Sequence, residues 1–265
     1  MLKNYFRVAW RNLSKNKAFS AINIGGLTIG MAVAMLIGLW VNDEFAFNKY
    51  HNNYDRIVQV MQHANYNGSI GTQTANPAVL GPALKEKYGS DFKYVIQSSW
   101  PTSFQLTHDR NPFRVQGLYM DKEAPEMLTL KMIAGSRDGL NDPYSILLSE
   151  SVAKSIFGNE NPINKVVKLN RKDDVKVTGV YDDIPANCSF ADLKGLLSWD
   201  LWVIHNPWSK AMEEPWGSNF CQTFAQVADN ADIDKVSAKI ANLKMDNIGE
   251  EEKKIRVESV SASHE

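Results

Sequence analysis

Cysteine is nearly absent: the 265 residues hold two, Cys188 and Cys221, 33 positions apart. With no further Cys or His at ligand spacing, they cannot form a zinc site. On an oxidising side of a membrane they could form a disulfide or stay as two partly buried thiols. No Gly-x-x-x-x-Gly-Lys-Ser/Thr run exists, so the chain lacks the phosphate cradle of an ATPase and any ATP must be handled by another polypeptide. No Gly-x-Ser-x-Gly elbow and no His-Glu-x-x-His helix occurs, which removes the best signatures of a hydrolase or zinc protease. The five histidines, His51, His63, His108, His205 and His264, are scattered without ligand spacing. Asp182-Asp183, ahead of Ile184-Pro185, reads as a solvated turn rather than an acid/base pair. No catalytic residue, cofactor or metal site is therefore expected.

No charge interrupts the 25 residues from Ala18 to Asn42. Their centre, Ile22 to Val41, is long enough as a helix to cross the ~30 Å hydrocarbon layer of a bilayer. A buried core helix seldom runs so far without a charge. A cleaved signal peptide would have a shorter apolar core and a small-x-small site at its end, where this chain reads VNDEFAF. An uncleaved transmembrane helix over 21–42 is the expectation. Gly26, Gly30, Ala34 and Gly38 recur every fourth residue and form one stripe of small side chains, of the kind that lets another membrane helix approach closely.

No acidic residue precedes Asp43, whereas Lys3, Arg7, Arg11, Lys15 and Lys17 all lie ahead of the span. The positive-inside rule then places the N-terminus in the cytoplasm and everything after Asn42 outside. Leu2, Tyr5, Phe6, Ala9, Trp10 and Leu13 share one helical face and the basic residues another, so residues 1–20 should hold an interfacial helix contacting inner-leaflet lipids. The net charge is −1, and the five basic residues of the head leave −6 for the rest, which gives no reason to expect nucleic acid.

Residues 43–265 suffice for a real core. Asp43 to Tyr54 could extend the membrane helix as a stalk. Arg56 to His63 and Tyr94 to Trp100 read as strands, with a loop at Gly68 and Gly71 and a helix after Asn76-Pro77 that uses Asn76 as its cap and stops at Gly89. Thr102 to Met120 alternates around His108 to Pro112 as a hairpin, followed by a short helix over Lys122 to Leu130 and a loop over Gly135 to Pro143. Ser145 to Leu148 should be a strand, and Ser149 should cap a helix to Gly158. A second hairpin, Lys165 to Leu169 with Val175 to Tyr181, is followed by a tryptophan-rich segment to Gly217, with Trp199, Trp202, Trp208 and Trp216, that should be a helix and then a long irregular loop. That segment suits core packing or a partner surface. Phe220 to Ala228 reads as a strand and Asp232 as the cap of a last helix, with a solvated turn at Glu250 to Lys254 and a strand from Ile255 to Val260. The pattern is α+β, without repeats.

Several of these segments resemble the FtsX-like permeases of ABC transporters that carry a MacB-like periplasmic core. The head MLKNYFRVAWRNLSKNKAFSAINIGGLTIG is similar to their opening, and Tyr54 to Val60 follows the membrane helix as theirs does. The most specific block is Leu148 to Lys154 with Phe157-Gly158, Asn161-Pro162-Ile163, then Val177 to Val180 with Ile184-Pro185-Ala186-Asn187. Two positions depart from the family pattern: Asn164 stands where glycine is usual, and Cys188 where serine is common.

The resemblance implies a two-lobed periplasmic α+β core, with a porter-like lobe at about 55–109 and 216–265 and an inserted lobe at about 110–215. Such a permease would continue into further membrane helices, so the chain reads as its N-terminal part. The implied function is that of the membrane subunit of an ABC transporter in the bacterial inner membrane. A separate cytoplasmic ATPase would move the membrane helices, and the periplasmic domain would pass that motion to an extracytoplasmic substrate. Its partners would be that ATPase, other permease helices or a second permease half, membrane lipids and a periplasmic protein. The alternative is a single-pass, membrane-anchored periplasmic sensor or ligand-binding protein.

Overall fold

The computed structural model describes residues 2–66, 69–212, 215–249 and 258–263. The chain divides into two compact units, Met1–Phe47 and Asn48–Glu265.

The first unit is two helices. Helix α1 (Leu2–Lys15) ends where the chain bends at Asn16, and α2 (Lys17–Phe45) runs 29 residues, or about 43 Å at the helical rise. Tyr5, Phe6 and Trp10 of α1 are exposed, as are Leu27, Leu36 and Trp40 of α2. Helix α2 thus runs past the span of 21–42 at both ends. It stops at Phe45, where the Ala46 N–H donates to the carbonyls of Asn42 and Asp43, so no helical stalk extends to Tyr54.

The second unit opens with irregular turns over 48–54 that pack onto its own core. Strand β1 (Ile57–Tyr66) and β2 (Ser69–Gln73) form a hairpin where the sequence suggested a loop at Gly71; Gly68 lies outside the described residues. Helix α3 (Leu80–Tyr88) starts later than expected because Asn76 does not cap it. Asn76 is buried, bridges Cys221 through its backbone, and donates from Nδ2 to the Val60 carbonyl at 2.6 Å. A buried amide satisfied by a strand carbonyl is not available to a helix terminus.

There follow β3 (Phe92–Ser98), the hairpin β4 (Thr102–His108) and β5 (Asn111–Met120), the single turn α4 (Ala124–Met127), and β6 (Met132–Gly135), which sequence alone did not suggest. Strand β7 (Ser145–Ser149) leads into α5 (Glu150–Phe157), whose N-terminus the Ser149 hydroxyl caps at the Val152 N–H as anticipated. A second hairpin, β8 (Val166–Leu169) and β9 (Asp173–Tyr181), precedes β10 (Gly195–Ser198), which was unforeseen, and the expected helix of the tryptophan-rich segment, α6 (Trp199–His205). The described chain closes with β11 (Gln222–Val227), α7 (Ile233–Ile240) capped by Asp232, and β12 (Glu258–Ser263). The expected turn at Glu250 to Lys254 and the start of the expected strand at Ile255 lie outside the described residues.

Strand pairing turns six of these strands into a closed barrel: β10 pairs β7, then β9, β8, β4 and β5 follow in order, and β5 returns to β10 in parallel. Alternate residues point inward, as the two-residue strand period dictates. Phe104, Leu106, Val115, Ile146, Leu148, Val167, Leu169, Val175, Val177 and Leu197 accordingly share one buried cluster. The remaining strands continue from β5 as an open sheet, β3-β11-β1-β12, with β2 beside β1 and β6 beside β9. One face of this open sheet, including Val58, Val95 and Ala225, is covered by α3 and α7 through Leu84, Val236 and Ile240. Its other face presents Ile96 and Phe224 to the outside of the barrel, where Leu118, Met120, Leu147 and Leu196 complete a separate apolar cluster with α4.

Candidate functional site

The residues that the sequence singles out lie in the first unit. Gly26, Gly30, Ala34 and Gly38 are on α2, where a Cβ added to any of the three glycines meets nothing within 4 Å. Lys3, Arg7, Arg11 and Lys15 on α1 and Lys17 at the start of α2 are all exposed.

The second unit contributes a cluster that sequence reasoning missed. Asn48, its first residue, sits in the left-handed region (φ 59°), a conformation asparagine tolerates better than most residues. From there it reaches 187–189: its N–H donates to the Asn187 carbonyl at 2.9 Å, its Nδ2 to Ser189 Oγ at 3.0 Å, and the Ser189 N–H returns a bond to Asn48 Oδ1 at 2.7 Å.

Three residues on, the His51 side chain is buried between two chain segments. Its Nδ1 faces the Leu128 carbonyl, which can only accept, so Nδ1 carries the proton. Nε2 is then the acceptor, and the Cys188 thiol donates to it at 3.4 Å. Burial pushes the His51 pKa down and the Cys188 pKa up, so both groups are neutral and the pair is structural, not a thiolate–imidazolium nucleophile. Asn52 N–H donates to Thr129 Oγ1 and Asn53 Nδ2 to the Met127 carbonyl. Phe190 stands edge-on to both the His51 ring and Phe224 of β11. Together, 48–53 form a clasp on 127–129 and 187–190. The sequence signals for it were Asn187, in the block that carries the family resemblance, and Cys188 beside it, which stands where serine is common.

Barrel and open sheet meet at a narrow joint. Strands β3 and β5 share the single register pair Ser98–Met120, extended by Ser99 N–H to the Tyr119 carbonyl, Tyr119 N–H to Ser99 Oγ, Asp121 N–H to the Gln97 carbonyl and Gln97 N–H to Asp121 Oδ2. Beside it, the tryptophans pack on one another. Trp202 is sandwiched between Trp199 (4.6 Å, 5°) and Phe220 (5.6 Å, 9°), and Trp208 stands edge-on to both Trp202 and Phe220. This column ties α6, on the barrel, to the segment that enters β11.

Two further expectations resolve locally. Cys188 and Cys221 are free and buried. Asp183 is half-buried rather than a solvated turn residue: it accepts from the Ser151 N–H, the Ser151 hydroxyl and Lys194 Nζ. Burial works to raise its pKa, but these bonds together hold the carboxyl below the usual range. It anchors the start of α5 to β10 through Lys194.

A family model described as the MacB-like periplasmic core domain matches residues 20–243. No curated protein matches the chain. Among solved structures, a domain of a protein named as a permease from Porphyromonas gingivalis superposes with a TM-score of 0.66 at 17% identity, covering 81% of this chain and 92% of that one. The periplasmic region of MacB from Actinobacillus actinomycetemcomitans gives 0.52 at 18% identity, covering 73% and 86%. The extracellular domain of the noncanonic ABC-type transporter YknZ from Gram-positive bacteria gives 0.53 at 15% identity, covering 78% and 99%. At such identities these likenesses establish a shared fold, while the family match extends from within α2 to just past α7. The chain belongs to the MacB-like periplasmic core domain family.

Proposed function

We propose that this chain is the N-terminal part of the membrane subunit of an ABC transporter. In this reading, a separate cytoplasmic ATPase moves the membrane helices, and the periplasmic core passes that motion to an extracytoplasmic substrate or partner protein. The observation that carries it is the family match over 20–243, which takes the apolar helix α2 and the α+β core as one unit. The basic head supports a cytoplasmic N-terminus, with Lys3, Arg7, Arg11, Lys15 and Lys17 against the inner leaflet. The stripe Gly26, Gly30, Ala34 and Gly38 supports packing of α2 against another permease helix. The porter-like and inserted lobes would correspond to the open sheet and the barrel, with the boundary ahead of β4 instead of at 109/110, since β4 is a barrel strand.

The clasp gives this reading its mechanics. Asn48, the residue with which the second unit begins, is bonded to 187–189. A displacement of α2 would therefore be delivered to α4, to 187–190 and, through Phe190 and Phe224, to the open sheet. Purification of the native membrane protein should bring an ATPase subunit with it, and substituting Asn48 should lower transport while leaving that association intact. Isolation of the native protein without any ATPase, repeated under mild detergent, would defeat the proposal.

A further inference from the structure

We propose that the cleft between α3 and α6 binds a zwitterionic apolar ligand, a short peptide or amino acid with free termini. This goes beyond the coupling role and does not depend on it.

The cleft lies beside the joint of barrel and open sheet and has a volume of ≈ 470 Å³, at the lower end of the range for small-molecule sites. The open-sheet side supplies Gly81, Pro82, Lys85 and Gln97; the barrel side supplies Trp199, Asp200, Val203 and Ile204, with Lys210 nearby and Asp121 at the joint itself.

The charges that line it balance: Asp121 and Lys85 pair with each other, while Asp200 and Lys210 are unspent. Asp121 gives Oδ2 to the Gln97 N–H and lies 3.8 Å from Lys85 Nζ, while its side chain keeps 19% of its surface open. Asp200 and Lys210 are exposed and take part in none of the ion pairs among the described residues. Two carboxylates and two ammonium groups leave the recess without net charge, and groups of both signs on its walls suit a ligand that carries both signs.

The remaining wall is apolar. Ile204 is 50% exposed and, with Val203 and Pro82, offers surface that only an apolar group would usefully cover. A free amino terminus would meet Asp121 and Asp200, a free carboxylate Lys210 and Lys85, and the side chain between them would lie on Val203, Ile204 and Pro82. Because both lobes contribute walls, an occupant would also resist bending at the Ser98–Met120 joint.

Equilibrium dialysis of labelled leucyl-leucine against the full chain in lipid nanodiscs tests this. Saturable binding is expected, with no competition from N-acetyl-leucinamide, which has the side chain but neither charge. Asp121→Asn and Lys210→Gln should each bind about tenfold more weakly, in line with loss of one charged contact. Lys210 is exposed, so that variant separates lost binding from lost folding. Absence of saturable binding, equal competition by the blocked compound, or unchanged affinity in both variants would overturn the assignment and leave the proposed coupling role untouched.

Discussion

Asn48 and Ser189 exchange two hydrogen bonds across 141 positions of sequence, Nδ2 to Oγ at 3.0 Å and N–H to Oδ1 at 2.7 Å. The pair fixes the first residue of the core domain in a left-handed conformation. Asn48→Gly keeps that conformation accessible and loses only the side-chain bonds, whereas Asn48→Ala loses both. Denaturant unfolding should therefore rank the variants: about 1 kcal/mol lost for glycine, and about 1 kcal/mol more for alanine. Equal losses would mean that the backbone conformation contributes nothing.

The buried His51 makes stability fall in mild acid. Its pKa is held below the ordinary 6.5 by burial, so the unfolded chain takes up the proton first. The stabilisation is complete above about pH 6.5 and is lost as pH falls through the lower, folded value. His51→Asn should flatten the pH dependence of Tm below pH 6.5, at some loss of stability at neutral pH. An unchanged acid limb would show that another group governs it.

Asp121 works in the opposite direction. Burial raises its carboxyl to about 6 from 3.8, against the lowering effect of the Gln97 N–H and Lys85. Its contribution therefore favours folding most below pH 4 and is lost as pH rises through 6. Ionising it at neutral pH costs up to about 3 kcal/mol. Asp121→Asn should be at least as stable as the parent at pH 8 and lose that advantage at pH 4. A variant that is less stable at pH 8 than at pH 4, relative to the parent, would refute this account.

Much of the fold is legible in local patterns, and the parts that are not have physical causes. The hairpins β4–β5 and β8–β9 announce themselves by alternation around polar turns, and the caps Ser149 and Asp232 by residue type and position. Strand β10 does not, because Gly195 to Ser198 is buried throughout and a strand covered on both faces shows no alternation. Asn76 had the look of a cap and became a buried strand bridge, a choice made by Val60 and Cys221, remote in sequence. The clasp was illegible for the same reason, since Asn48, His51, Leu128 and Ser189 meet only through the fold. The family position at Asn164 is informative in hindsight: its φ of 66° is what glycine adopts freely, and asparagine is the substitute that tolerates it. Asn164→Ala should lose about 1 kcal/mol in thermal or denaturant unfolding, while Asn164→Gly should change stability little.

Closure of the barrel rests on two facing glycines, and the two should fail differently. Gly117 and Gly195 are register partners on the parallel strands β5 and β10, with the Phe104 ring over both. A Cβ on Gly117 would lie 2.0 Å from the Gly195 carbonyl oxygen, a backbone atom that cannot move without parting the strands. A Cβ on Gly195 would instead meet Phe104 Cζ at 2.7 Å and Val115 Cγ1 at 3.1 Å, side-chain atoms that a smaller residue would withdraw. Gly195→Ala should thus lose roughly 1–3 kcal/mol by overpacking and regain part of it when combined with Phe104→Leu. Gly117→Ala should be the more damaging, and Phe104→Leu should add its own loss instead of relieving it. A double-mutant cycle by denaturant unfolding measures the difference directly: a stabilising coupling for the Gly195 pair and none for the Gly117 pair. Equal coupling in both would mean that the Phe104 ring, and not the approach of the two backbones, sets how closely β5 and β10 can close the barrel.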